Sequence, residues 1–151
     1  MQIVRAEPSD APALSAIAWA AKAFWGYPPH WMEQWRELLT ITPEFITRHD
    51  TFIAFIEQQL VGFHALVERR DAIYLEHLWV APEQIRRGIG RALFQHAVQQ
   101  ATARKTARLT IEADPHAEPF YLRMGARRVG VVESELDGER RELPLLEFDL
   151  K

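Results

Sequence analysis

Residues 82–94, PEQIRRGIGRALF, set Arg86, Arg87 and Arg91 around Gly88 and Gly90, directly before a segment with helical periodicity. A helix N-terminus carries unpaired N–H groups and about half a positive charge, and glycines let an anion come close to those groups, so the implied chemistry is phosphate binding. A P-loop would need Gly-Lys-Ser/Thr, and a dinucleotide fingerprint would need a third glycine where Leu93 stands; neither pattern is present. From Gln84 to Arg108 the chain holds six cations and no Asp or Glu, which makes this stretch +6 and leaves −9 for the remainder. Such segregation fits a small polyphosphate ligand better than a solvated helix face, which mixes signs. Just upstream, YLEHLWV places Glu76 inside an apolar strand. A strand period of two puts Tyr74, Glu76, Leu78 and Val80 on one face and Ile73, Leu75, His77 and Trp79 on the other. A carboxylate in that setting is costly unless it is solvated or used.

These residues need a scaffold, and 151 residues that are 48% hydrophobic read as one domain over 1–151. The net charge of −3 argues against nucleic acid as a partner. No signal peptide and no apolar run of about 20 residues is seen, so a cytoplasmic protein with no membrane partner is expected. With no cysteine there is no thiol nucleophile or thiolate metal site, and the histidines lack ligand spacing, so no metal is expected. Gln2–Arg5 reads as a strand, and Ser9 as the cap of a helix bearing Leu14, Ile17, Ala18 and Ala21. FWGYPPHWMEQW breaks regularity before Trp31, Trp35, Leu38 and Leu39 resume helical spacing. After a short segment opened by Thr42, residues 51–56, 60–67 and 72–80 read as an antiparallel meander. A helix from Gly88 to about Ala103, a strand over 109–113, a helix over 115–124 and closing strands over 126–132 and 143–150 complete the chain.

YLEHLWVAPEQIRRGIGRALF resembles the acyl-CoA-binding motif of the GNAT superfamily of N-acetyltransferases, and EADPHAEPFYLRMGA resembles the second motif of that family. The pairing of the two at the proper distance is more specific than either alone. The resemblance implies an α/β GNAT fold: a central mixed, mostly antiparallel sheet flanked by helices, with a splayed strand pair that holds the pantetheine arm. It implies acetyl-CoA as cosubstrate, its pyrophosphate on the amides of Gly88, Ile89 and Gly90 beside Arg86, Arg87 and Arg91, and its arm along Leu78, Trp79 and Val80. Two departures stand out. Ile85 occupies a position where the family prefers Arg or Gln, and Asp114 replaces an Asn, so it can cap a helix but cannot donate to the coenzyme. By resemblance Tyr121 is the acid that protonates the leaving thiolate, and Glu76 the base at the acceptor amine, directly or through water. Trp25, Tyr27 and Trp31 fall where the family walls its acceptor pocket, Trp25 and Tyr27 being the better candidates because they flank Gly26. The expected function is acetyl transfer to a primary amine of a small molecule in a ternary complex, with a homodimer left open. A protein or peptide acetyltransferase, a non-catalytic acyl-CoA-binding regulator and a nucleotide-binding regulator are the alternatives.

Overall fold

The computed structural model describes residues 1–150. Strand β1 (Gln2–Arg5) leads through a 3₁₀ turn at Pro8–Asp10 into α1 (Ala11–Ala23), followed by the short helices α2 (Pro29–Gln34) and α3 (Pro43–Arg48). Strands β2 (Asp50–Ile56), β3 (Gln59–Arg69) and β4 (Ala72–Val80) form the meander. Helix α4 (Ile89–Thr102), β5 (Arg108–Glu112), α5 (Glu118–Arg123), β6 (Arg127–Leu136) and β7 (Glu139–Asp149) complete the order. The seven strands make one sheet in the order β1-β2-β3-β4-β5-β7-β6. Only β4 and β5 run parallel, because α4 carries the chain back across the sheet between them. No helix among the described residues is long and apolar enough to cross a membrane.

Each face of the sheet has its own core. On one side Phe94, Ala97 and Ala101 of α4 meet Leu75, Leu109, Ile111 and Leu146. On the other, Leu14 and Ala18 of α1, Met32 of α2 and Ile46 of α3 pack on Ile53 and Phe63. Three local readings change. Ser9 does not cap α1: it lies inside the 3₁₀ turn, and the Asp10 carboxylate instead accepts the backbone N–H of Glu7 at 2.8 Å. Trp35 ends α2, and Leu38 and Leu39 lie in turns beyond it. Strands β6 and β7 extend to a two-residue turn at Asp137 and Gly138, both with positive φ (58° and 77°), the geometry of a tight hairpin.

The most consequential difference lies in β4. Its register with β3 shifts from Ala65↔His77 to Leu66↔Leu75, which leaves Glu76 as an unpaired extra residue, a β-bulge. Alternation therefore changes phase at Glu76. Ile73 and Leu75 before the bulge, and Leu78 and Val80 after it, all pack on the α4 side, while Trp79 packs with the α1–α3 core. Leu78 and Val80 thus share a face with Ile73 and Leu75, contrary to a strict period of two.

Candidate active site

Strand β4 pairs with β5 at only two positions, Ile73↔Leu109 and Tyr74↔Thr110, and then continues six residues to Val80 without that neighbour. On its other edge β5 stays paired with β7 throughout, from Arg108↔Asp149 to Glu112↔Leu145. The two parallel strands splay, and a cleft of about 690 Å³ opens in the wedge. Its walls carry Glu76, Leu78, Trp79 and Val80 from β4, Arg86, Gly88, Ile89, Gly90 and Arg91 from the loop and α4, and Asp114, His116 and Tyr121 from the segment after β5.

The glycine loop has the shape its residues suggest. Gly88 is the N-cap of α4 in the left-handed region, φ 79°, and a side chain added there would meet nothing within 4 Å. The position therefore requires glycine for its backbone, and the space above it is open to a ligand. At Gly90 an added Cβ would sit 3.4 Å from the Phe120 ring, ordinary van der Waals contact, so packing on α5 does not itself demand glycine there. Arg86 and Arg91 are exposed on the cleft with no ion-pair partner among the described residues, whereas Arg87 is off the cleft and donates to Gln84 Oε1 at 2.8 Å. The basic block is not one patch. Arg104 pairs with Asp50 and Glu68, and Arg108 lies near Glu147 and Asp149, at the far end of a helix about 21 Å long. Three arginines, not six cations, surround the loop. Open amides at a helix N-terminus, two free arginines and an unpaired strand edge fit a pyrophosphate followed by an extended amide-bearing arm.

Tyr121 is buried among Phe94 and Phe120 and lines the cleft, and its hydroxyl has no hydrogen-bond partner among the described residues. Burial, aided by the Asp114 charge, pushes its pKa up, so it stays a protonated donor at neutral pH. Glu76 reaches the cleft, but its Oε1 accepts from Arg69 Nη2 at 2.6 Å, and Arg69 in turn lies over the Tyr74 ring.

Asp114 is the hub of the opposite wall. As expected it caps the turn at Pro115, accepting the His116 N–H at 2.8 Å. Its carboxylate, 8% exposed, also takes Lys22 Nζ at 2.6 Å and the Tyr27 hydroxyl at 2.9 Å. Burial penalises this anion, but Lys22 and the hydrogen bonds from His116 and Tyr27 offset it and hold the pKa below the usual carboxylate range. The same burial and the Asp114 charge push Tyr27 up to about 12, which keeps it a donor. With its oxygens so engaged, Asp114 braces the wall. Trp25 stands on the cleft, 39% exposed and stacked on His116 at 5.0 Å. Tyr27 and Trp31 are not on that wall: with Trp35 they form a cage around the Arg141 guanidinium, 5.4–5.5 Å from each ring centroid. His116, which carries no motif of its own, is the cleft residue that the sequence pattern passed over.

A family model described as Acetyltransferase (GNAT) domain matches residues 31–139. YiaC, a peptidyl-lysine N-acetyltransferase of Escherichia coli (strain K12), is 29% identical over 99 residues, covering 65% of this chain and 65% of that protein, so the chain spans just under two thirds of that relative's length. Among solved structures, a GCN5-related N-acetyltransferase from Rhodopseudomonas palustris superposes with a TM-score of 0.82 at 22% identity, covering 99% of this chain and 95% of the other. The PaiA N-acetyltransferase from Thermoplasma acidophilum, solved in complex with coenzyme A, gives 0.77 at 20% identity over 98% of each chain. The splayed cleft, the glycine loop at its mouth and the family match together identify the chain as a member of the GNAT acetyltransferase family.

Proposed function

We propose that the acceptor is a primary amine on a small molecule, received between Glu76 and the Trp25–His116 wall. One observation carries this reading: the β6–β7 hairpin is tied to α2 next to Tyr27, whose hydroxyl meets the His116 ring of the cleft wall. Asp137 at the tip of the β6–β7 hairpin accepts Gln34 Nε2 at 2.8 Å and lies 3.0 Å from His30 Nε2, which ties the hairpin to α2. Arg141 of β7 fills the cage of Tyr27, Trp31 and Trp35 alongside. A compact amine needs no groove there, whereas an extended peptide does.

Acetyl-CoA supplies the activated acetyl group; the chain's own residues do the rest. Gly88, Ile89 and Gly90 amides with Arg86 and Arg91 hold the pyrophosphate, and the open edge of β4 over Leu78–Val80 aligns the arm. Glu76 and the indole of Trp25 draw in and orient an ammonium by charge and cation–π attraction. Tyr121 donates its proton to the departing thiolate.

Release of free CoA followed across polyamines, amino-acid derivatives, aminoglycosides, lysine peptides and N-terminal peptides tests the acceptor class. Small amines are expected to turn over and peptides to fail, and Glu76→Gln to raise the acceptor KM about tenfold with turnover less affected. A panel in which only peptides react overturns the small-amine reading. It favours a protein acceptor instead, the acceptor class in the name of YiaC, a peptidyl-lysine N-acetyltransferase.

Coenzyme binding has its own check. Acetyl-CoA at about 100 times its Kd stabilises the fold by about 2.7 kcal/mol, visible as a thermal shift. Arg86→Glu or Arg91→Glu weakens that binding about tenfold or more, since a hydrogen bond to a charged group is worth about 1.5–3 kcal/mol. Lys105→Glu, on an exposed residue beyond the other end of α4, leaves it unchanged. Equal effects at all three positions show that the arginines merely solvate the surface.

A further inference from the structure

From the geometry of the cleft wall we infer that His116 takes the proton from the acceptor ammonium, with Asp114 as the carboxylate that positions its ring. The inference rests on the acetyl-transfer reading of the cleft given above.

The imidazole is held on three sides. Its Nδ1 lies 3.1 Å from Asp114 Oδ1 and 3.0 Å from the Tyr27 hydroxyl, and its own backbone N–H donates to the same Asp114 oxygen at 2.8 Å. Trp25 stacks on its face, with an interplanar angle of 10°, and Tyr27 meets it edge-on at 5.3 Å. An ionised Asp114 can only accept, so it selects the tautomer with the proton on Nδ1 and leaves the lone pair on Nε2. That nitrogen has no hydrogen-bond partner among the described residues, and the side chain is 46% exposed on a cleft-lining residue. A buried carboxylate behind an imidazole that faces a cavity is the arrangement of an oriented base. The charged and titratable groups around it come from every packed element: Asp114 itself, Lys22 of α1 on Asp114, Tyr27 of the α1–α2 loop, and Arg141 of β7 at 3.4 Å from the Tyr27 hydroxyl.

Glu76 is less suited to the same task. One of its oxygens accepts from Arg69 Nη2 at 2.6 Å, whereas His116 Nε2 has no partner among the described residues. Glu76 attracts the ammonium, and His116 deprotonates it.

One N–H proton of the acceptor ammonium passes to His116 Nε2, giving an imidazolium and a neutral amine. The amine lone pair forms the new C–N bond while the C–S bond breaks and its electron pair leaves with sulfur. Tyr121 protonates that sulfur and regains a proton from the acylated nitrogen. The imidazolium returns its proton to water, so one proton is released per acetyl group transferred.

Steady-state CoA release by the full chain tests this, with the best small amine from the panel. His116→Gln is expected to lower turnover about 100-fold, with acceptor KM within about twofold, and to remove the acidic limb of the kcat/KM pH profile. In His116→Ala, free imidazole restores turnover in a concentration-dependent way, and it has no effect on Tyr121→Phe. Asp114→Asn moves the acidic limb while imidazole does not rescue it. Retention of the acetyl-CoA thermal shift by each variant shows that the fold and the coenzyme site persist. Wild-type turnover with an unchanged pH profile in His116→Gln overturns the assignment, and so does a slow His116→Ala that imidazole fails to rescue. If Tyr121→Phe also turns over at the wild-type rate, the acetyl-transfer roles of the cleft fall, and the role of His116 falls with them.

Discussion

Tyr121→Phe lowers turnover by about 100-fold or more while leaving acetyl-CoA affinity within about twofold of wild type. The asymmetry follows from where the residue sits. Its ring packs on Phe94 and Phe120, contacts that phenylalanine keeps, so little cavity and little loss of stability are expected. The hydroxyl, by contrast, has no protein partner among the described residues and faces the cleft, and burial holds it protonated. Removing it deletes a donor that is used only as charge develops on sulfur, and such an interaction appears in kcat and hardly in binding. Turnover close to wild type would return Tyr121 to a packing role.

The second large effect is loss of stability in mild acid, about 4 kcal/mol between pH 7 and pH 5. His64 is fully buried between β3 and α4 beside Phe52; its Nε2 lies 3.0 Å from His96 Nδ1, and its own Nδ1 has no partner among the described residues. Burial, with the neighbouring His96, lowers its pKa to about 3. His77, enclosed by Phe45, Phe63 and Trp79 and accepting the Trp79 Nε1–H, is lowered by burial to about 4. Each ring is neutral in the fold and gains a proton on unfolding once the pH drops below about 6.5. The stabilisation is therefore complete above that value and drains away as pH falls toward the folded-state values. Between pH 7 and 5 each contributes a loss of about 2 kcal/mol, a large share of a total that is typically about 5–15 kcal/mol. Urea denaturation at the two pH values measures it, and His77→Gln should reduce the drop by about half. A free energy of unfolding that stays flat over this range contradicts the neutral state of both rings in the fold.

What could be read from the sequence was local, and what could not was set by distant partners. The glycine-led helix α4 and the helix α5 that carries Tyr121 follow from residues within a turn or two of one another, and both helices appear as expected. The bulge at Glu76 depends on how β3 and β4 register across the sheet, which no pattern within YLEHLWV reveals. The basic block looked continuous because the acids that neutralise its far end, Asp50, Glu68, Glu147 and Asp149, lie in other strands. Likewise Lys22 and Tyr27 meet Asp114 across about 90 residues of chain, so neither the engaged carboxylate nor the orientation of His116 was visible beforehand. The long β6–β7 hairpin was the exception: Asp137-Gly138 is a legible turn signal, hidden by the charged residues that flank it.

Backbone hydrogen exchange, measured with and without saturating acetyl-CoA, reads the coenzyme's place in the wedge, because the amides that would hold it lack partners along the β4 edge and at the start of α4. Slowed exchange is predicted at Gly88, Ile89 and Gly90 and at β4 amides between Leu75 and Val80 that lack a β5 partner. Residues of β1 and β2, on the far side of the sheet, should change little. Tight binding by calorimetry with no added protection at the glycine loop or along β4 would contradict the placement of the coenzyme in the wedge, and with it the roles given to the cleft.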